Sequence, residues 1–213
     1  MKTLVILSQK GGSGKSTLTV HLAVCAVQRG LKTAILDIDH NQASSLRWNE
    51  TRADDHKIDT AKCTAKELRS YLQMAEKGGV DLVLVDTAPH SNSDSVIAAQ
   101  LADFILIPCR PALFDLEAIF NTVQLAKATG HSYSVIINAA PRGKLADETR
   151  SFLERNSVPV MALTLYQRAA YTHALLDGRS VHEYEPDGKA TAEINELYEY
   201  ISAELKLKRR LVA

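Results

Sequence analysis

The chain has 213 residues, enough for one well-cored domain, and its 46% hydrophobic and 23% charged content is ordinary for a globular protein. Lys+Arg and Asp+Glu balance at 25 each, so no global field marks nucleic acid or membrane as a partner, and any such surface must be a local patch. Cys25, Cys63 and Cys109 lie far apart without metal-ligand spacing and read as reduced structural thiols, and no apolar run approaches the ~18 residues of a membrane span.

The N-terminus reads as a core strand rather than a signal peptide. Leu4 to Leu7 is apolar and suits a buried strand. The chain then breaks into Gly11, Gly12 and Gly14 and restarts as a helix at Lys15. Strand, glycine loop, helix is the context a phosphate-binding loop requires. The glycines let the backbone turn tightly and aim its N–H groups inward, at the positive end of a helix. Lys15 would reach the β- and γ-phosphates, and the Ser16 hydroxyl would ligate Mg²⁺. Gln9 stands where the common pattern has a glycine, and a second lysine, Lys10, stands beside it. Taken alone, Lys10 is as well read as an exposed loop lysine as a site residue.

Residues 15–29 read as a helix with Leu18, Leu22 and Cys25 on one stripe, ended at Gly30. Thr33 to Asp39 is the second strand. Alternation puts Asp37 and Asp39 on one face, at the edge where a parallel sheet binds ligands. One such aspartate alone would be read as a helix cap; two after a phosphate loop suggest a Mg²⁺ and water site. Ala43 to Arg52 is expected to be helical, with Trp48 packed rather than recognising a ligand. The polar stretch Asp54–Lys62 should be exposed, with a short strand near Ile58. Residues 64–77 suit a helix closed by Gly78 and Gly79. Val80 to Asp86 is a buried strand with an aspartate at its tip, a Walker B element. Asp86 would hold Mg²⁺ through its water shell. Thr87 to His90 would turn beside the γ-phosphate and sense its loss; His90 reads as a polar loop residue.

Further on, the pattern predicts a helix over 93–102, a strand Phe104 to Pro108, a turn at Arg110-Pro111 and a helix over 113–129. A strand follows from Tyr133 to Asn138, then a loop to Lys144 and a helix over 145–156. Val158 to Leu163 is a strand that Pro159 places at an edge. A helix over 166–178, a turn at Pro186–Gly188 and a last helix striped by Ile194, Leu197, Tyr198, Ile201 and Leu205 complete the chain. Alternating strands and helices with short connections predict an α/β fold. It is a single doubly wound, mostly parallel sheet flanked by helices, formed by residues 1–213 as one domain. A nucleotide would sit at the carboxyl edge of the strands.

Lys10-Gly-Gly-Ser-Gly-Lys-Ser16 resembles the deviant Walker A motif of the ParA/MinD ATPases. Asp37-Ile-Asp39 with Gln42 resembles that family's Asp-x-Asp-Pro-Gln, and Val83–Pro89 its Walker B segment. Pro108-Cys-Arg-Pro111 and Asn138 resemble the segments that frame the adenine. Tyr184–Ala190 before the last helix looks like the small plasmid-type partition ATPases. The resemblance implies a P-loop ATPase that uses ATP and Mg²⁺. Residues Lys10, Gly11, Gly12, Ser13, Gly14, Lys15, Ser16 and Thr17 would hold the phosphates, with Pro108 and Asn138 at the adenine. Lys10 would neutralise charge on the partner subunit's nucleotide, Asp39 would orient the attacking water, and Asp37, Ser16 and Asp86 would organise Mg²⁺. His40-Asn41 stands where the family has a single proline before Gln42, a departure that bears on turnover and partner response.

The resemblance further implies an ATP-closed homodimer that binds DNA non-specifically in the cytoplasm and nucleoid, with a ParB-like centromere-binding protein stimulating slow hydrolysis. The chain begins at its core strand, so the N-terminal helix-turn-helix of larger family members is not expected. Basic candidates for DNA are Arg142, Lys144, Arg179, Lys189, Lys206, Lys208, Arg209 and Arg210. For the tail alone, basic residues complementing a helix dipole are the simpler reading. The same tail lacks a Trp or Phe anchor, so membrane binding would be marginal. Two alternatives remain open: a MinD-like or ParA-like positioning ATPase acting on a membrane or a protein cargo, and a nucleotide-dependent switch with almost no turnover.

Overall fold

The computed structural model describes residues 1–89 and 92–207, and for residues 92 and 113–117 it describes the backbone alone. His90, Lys208, Arg209 and Arg210 therefore lie outside the described residues. The strands are β1 (Lys2–Ile6), β2 (Thr33–Asp37), β3 (Asp59–Lys62), β4 (Leu82–Asp86), β5 (Phe104–Cys109), β6 (Ser132–Ala140) and β7 (Val160–Tyr166). The helices are α1 (Lys15–Gln28), α2 (Ser44–Glu50), α3 (Leu68–Lys77), α4 (Asn92–Gln100), α5 (Leu113–Thr129), α6 (Leu145–Arg155), α7 (Ala169–Leu176), α8 (Val181–Tyr184) and α9 (Lys189–Leu205).

The strands form one sheet in the order β3-β2-β4-β1-β5-β6-β7, and every pairing described is parallel. The expected "mostly parallel" sheet is thus parallel throughout these pairings. Parallel sheets must be covered on both faces, which is why their strands read as continuous apolar runs. Alternation divides those runs between two cores. Leu4, Ile6, Leu82, Leu84, Phe104 and Leu106 pack with α1 and α9. Val5, Val83, Val85, Ile105 and Ile107 pack on the other side with α3, α4 and α5. The α9 stripe from Ile194 to Leu205 is buried throughout. Pro159 precedes β7, and β7 is an edge strand. The short strand expected near Ile58 is β3, at the other edge.

Two differences from expectation have clear causes. The second strand stops at Asp37 because the chain turns there: the Asp37 carboxylate accepts the Asp39 N–H at 3.0 Å. The short α8 has no hydrophobic period to announce it; a Ser180–Glu183 capping box makes it. That box is part of a tie to α2. Arg52 donates to Gly178 O at 2.8 Å and forks onto Glu183 at 3.0 and 2.6 Å. Its guanidinium lies 4.6 Å over the Trp48 ring, and Trp48 Nε1 donates to Arg179 O at 3.2 Å. Trp48 is a packing residue, as expected. Gly178, at φ +66°, meets this contact: a Cβ there would lie 2.6 Å from Thr51 Oγ1.

His21 of α1 is fully buried, and its Nδ1 accepts the Val181 N–H at 3.2 Å. Burial, with the His182 ring adding, pushes its pKa down to about 3; burial lowers His182 as well. The unfolded chain binds protons at these histidines below the ordinary value near 6.5 while the folded chain does not. Stability should therefore be full above about pH 6.5 and fall as pH drops toward 3, by up to about 1.4 kcal/mol per pH unit for His21, with His182 acting in the same direction. Urea unfolding between pH 4 and 8 checks this, and His21→Gln should flatten the profile.

Candidate nucleotide site

The site lies at the carboxyl edge of the sheet, around the loop that follows β1. β1 sits between β4 and β5, where successive connections change direction, which is the place such sheets bind ligands. Gly12 and Gly14 have φ of +73° and +96°. A Cβ at Gly14 would collide with the Asn138 side chain. That side chain holds the loop: Asn138 Nδ2 donates to Ser13 O at 2.7 Å. Lys15 is buried and its Nζ donates to Lys10 O at 3.4 Å, so the ammonium is folded back over the loop. Burial lowers its pKa, and the charges of Asp86 and Asp39 oppose that shift. A buried ammonium at a helix start, where the first N–H groups have no partner within the helix, is built for an anion.

The loop opens on a cavity of about 340 Å³. Of the residues singled out in the sequence, Gly11, Gly12, Gly14, Lys15, Ser16, Thr17, Asp39 and Asn138 line it, as do Gln42, Thr87, Pro89 and Arg110 from the motif segments. Lys10 and Ser13 are not among the lining residues: Ser13 is buried and Lys10 is half-buried. Pro108 lies inside β5 opposite Ile136, within the strand predicted for it, and is not among the residues that line the cavity; Arg110, from the same motif segment, is. Tyr166, Arg168 and Tyr171 also line it, and sequence motifs did not mark them. The sequence pattern puts all three in a helix over 166–178, whereas β7 runs on to Tyr166 and α7 begins at Ala169.

On the β2–β4 side, Asp37 and Asp86 are both fully buried and face each other in register. Asp37 is already occupied. Its Oδ1 accepts the Asp39 N–H at 3.0 Å, and its Oδ2 accepts the N–H groups of Ser45 and Leu46 at 3.0 and 3.3 Å. It thus answers the open N–H groups at the start of α2. Burial raises its pKa and those three bonds oppose it. Asp86 is less well served. Its Oδ2 accepts the Ser45 hydroxyl at 2.5 Å, and its Oδ1 has no hydrogen-bond partner among the described residues. Burial, with Asp37 adding, pushes it up to about 7, against the Ser45 and Ser16 hydroxyls and Lys15. Ser45 is a further residue that sequence reasoning missed. Asp39 makes a turn, its Oδ1 accepting the N–H groups of Asn41 and Gln42 at 3.1 Å each.

The unsatisfied Asp86 oxygen fits a hard cation or its hydration water, with Ser16 beside it. No group of three His, Cys, Asp or Glu side chains converges among the described residues. Mg²⁺ suits such a site, since it keeps several waters and takes phosphate oxygens as ligands.

The basic residues divide. Arg142 and Lys189 line one cleft beside Arg168, and Lys144 is exposed on the same loop as Arg142. Arg179 is paired with Asp177 at 2.5 Å. Lys206 follows the far end of α9, about 25 Å from Lys189 by helical rise. The structure therefore does not bring the described candidates into one patch.

Residues 4–181 match the family model described as the CobQ/CobB/MinD/ParA nucleotide binding domain. The chain is 28% identical over 207 residues to the maintenance of carboxysome distribution protein A of Halothiobacillus neapolitanus, covering 92% of this chain and 94% of that one. It is 24% identical over 191 residues to protein ParA of Rhizobium radiobacter, covering 85% and 86%. The septum site-determining protein MinD of Pyrococcus horikoshii, solved with Mg-ADP, superposes with a TM-score of 0.75 at 17% identity, covering 94% and 95%, a likeness of fold. With the family model spanning the phosphate loop, both aspartate strands and the cavity wall, the chain belongs to the CobQ/CobB/MinD/ParA nucleotide-binding family.

Proposed function

We propose that this protein is a ParA-type positioning ATPase that binds ATP with Mg²⁺, closes into a homodimer, holds non-specific DNA in that state and releases it on hydrolysis. The observation that carries the reading is one cavity lined by Gly11, Gly12, Gly14, Lys15, Ser16, Thr17 and Asp39, backed by a buried, half-satisfied Asp86. Lys15 and the loop N–H groups would bind the phosphates, and Ser16 with Asp86 would hold Mg²⁺. Bound Mg²⁺ supplies charge neutralisation at the β- and γ-phosphates. Asp39 lines the cavity and would orient the attacking water. Asp37 would act through α2, whose first turn it holds. Lys10 is not among the residues lining its own cavity, and it would act on the partner subunit's nucleotide. A ParB-like protein at a centromere would stimulate turnover, placing the ATPase on the nucleoid in the cytoplasm.

A second reading takes a protein cargo in place of a plasmid or chromosome. The match over 92% of this chain to a protein named for carboxysome distribution favours keeping it. No described helix is long and apolar enough to cross a membrane.

Binding to random-sequence duplex DNA with ATP, ADP or no nucleotide tests the main reading. Binding is expected with ATP alone, falling steeply with salt. Absence of binding in every condition at low salt would move the cargo to protein. Lys10→Ala should leave ATP affinity within about threefold, abolish the ATP-dependent dimer by light scattering, and lower turnover roughly 100-fold. Unchanged turnover would remove Lys10 from the chemistry.

A further inference from the structure

Glu193 lies in the second turn of α9 and is 8% exposed. Its carboxylate gathers four donors. Oε1 accepts from Arg168 Nε at 2.9 Å and Nη2 at 2.5 Å. Oε2 accepts from the Tyr171 hydroxyl at 3.1 Å and from the Tyr166 backbone N–H at 3.3 Å. All three donor residues line the nucleotide cavity. Burial, with the Glu193 charge adding, pushes the Tyr171 phenol up, so it stays protonated and donates. The Arg168 guanidinium also lies 5.6 Å over the Tyr166 ring.

Sheet order says which end of a nucleotide this wall meets. The phosphate loop leaves β1. Asp39 and Thr87, after β2 and β4, line the cavity on one side of β1. Tyr166, Arg168 and Tyr171, from β7 and α7, line it on the other. The half-satisfied Asp86 puts cation and terminal phosphates on the β4 side. The nucleoside then extends toward β6 and β7.

The chemistry of the tie is specific. Docking α9 against β7 needs only the apolar stripe, which is buried without Glu193. A buried carboxylate is costly unless its acceptors are used. Here every donor it takes belongs to one cavity wall. A charge-assisted contact of this kind fixes an arginine's orientation.

We propose that Glu193 is a positioning residue for the nucleoside end of the bound nucleotide. From α9 it locks the Arg168 guanidinium, the Tyr171 ring and the end of β7 into a preformed wall. The Arg168 N–H groups not bonded to Glu193 then meet acceptor atoms of the base or ribose. This rests on the nucleotide reading above.

Titration calorimetry with Mg-ATP and with Mg-tripolyphosphate separates the two ends, because tripolyphosphate carries the phosphates without the nucleoside. Wild type should bind ATP more tightly than tripolyphosphate. Glu193→Gln should weaken ATP about tenfold or more and leave tripolyphosphate within about twofold. Arg168→Met, which keeps the carboxylate, should do the same, and it carries the test should Glu193→Gln fail to fold by circular dichroism. Parallel weakening of both ligands, or no change in either, would overturn the positioning role. Equal wild-type affinity for the two would overturn the nucleoside wall. Failure of wild type to bind either ligand would overturn the nucleotide reading itself.

Discussion

Two buried carboxylates set side by side at the end of a parallel sheet constrain everything around them. Asp37 and Asp86 close β2 and β4 as register partners, and neither touches solvent. Like charges this close and this dry cannot both be ionised without compensation. The chain answers each differently. Asp37 is compensated by backbone N–H groups, three of them, and so becomes the anchor of α2. Asp86 is compensated by Ser45 on one oxygen, and its other oxygen has no hydrogen-bond partner among the described residues. Lys15 supplies the nearby positive charge but points back to the loop. The arrangement has room for one more cation, and the phosphate loop beside it has room for an anion.

The same pair organises the structure outward. Ser45 joins Asp86 to α2 through its side chain and Asp37 through its N–H. The far end of α2 is held by Arg52 and Trp48 to the segment from Gly178 to Glu183. These bonds link Asp86, through α2, to the connection between α7 and α8. Ala43, with φ of 45° just before α2, and Ala139, with φ of 51° in the cavity wall, both hold backbone that non-glycine residues rarely adopt. Strain of this sort flanks the cavity on both sides.

Much of this was legible in the sequence. Continuous apolar strands ending in Asp86 or in glycines, and helices striped at 3.6 residues, mark the sheet, its two faces and the phosphate loop, because burial alone dictates those patterns. Edge placement of β7 followed from Pro159. What was not legible came from side chains meeting across long sequence distances. Ser45 is an ordinary helix serine until β4 brings Asp86 against it. Glu193 is an ordinary helix glutamate until β7 and α7 bring it four donors. Pro108 looked like a wall residue by motif and is a strand residue by register. Lys189 was a scattered basic candidate and Lys206 part of a basic tail; α9 sets the two at its opposite ends.

The measurement that tests the account most directly is ATP affinity with and without Mg²⁺, by calorimetry, in wild type and Asp86→Asn. If Asp86 is the buried carboxylate that serves the cation, Mg²⁺ should strengthen wild-type binding about tenfold or more, and Asp86→Asn should bind ATP equally well in either condition. Wild-type binding that ignores Mg²⁺, or a Mg²⁺ effect that survives intact in Asp86→Asn, would contradict it.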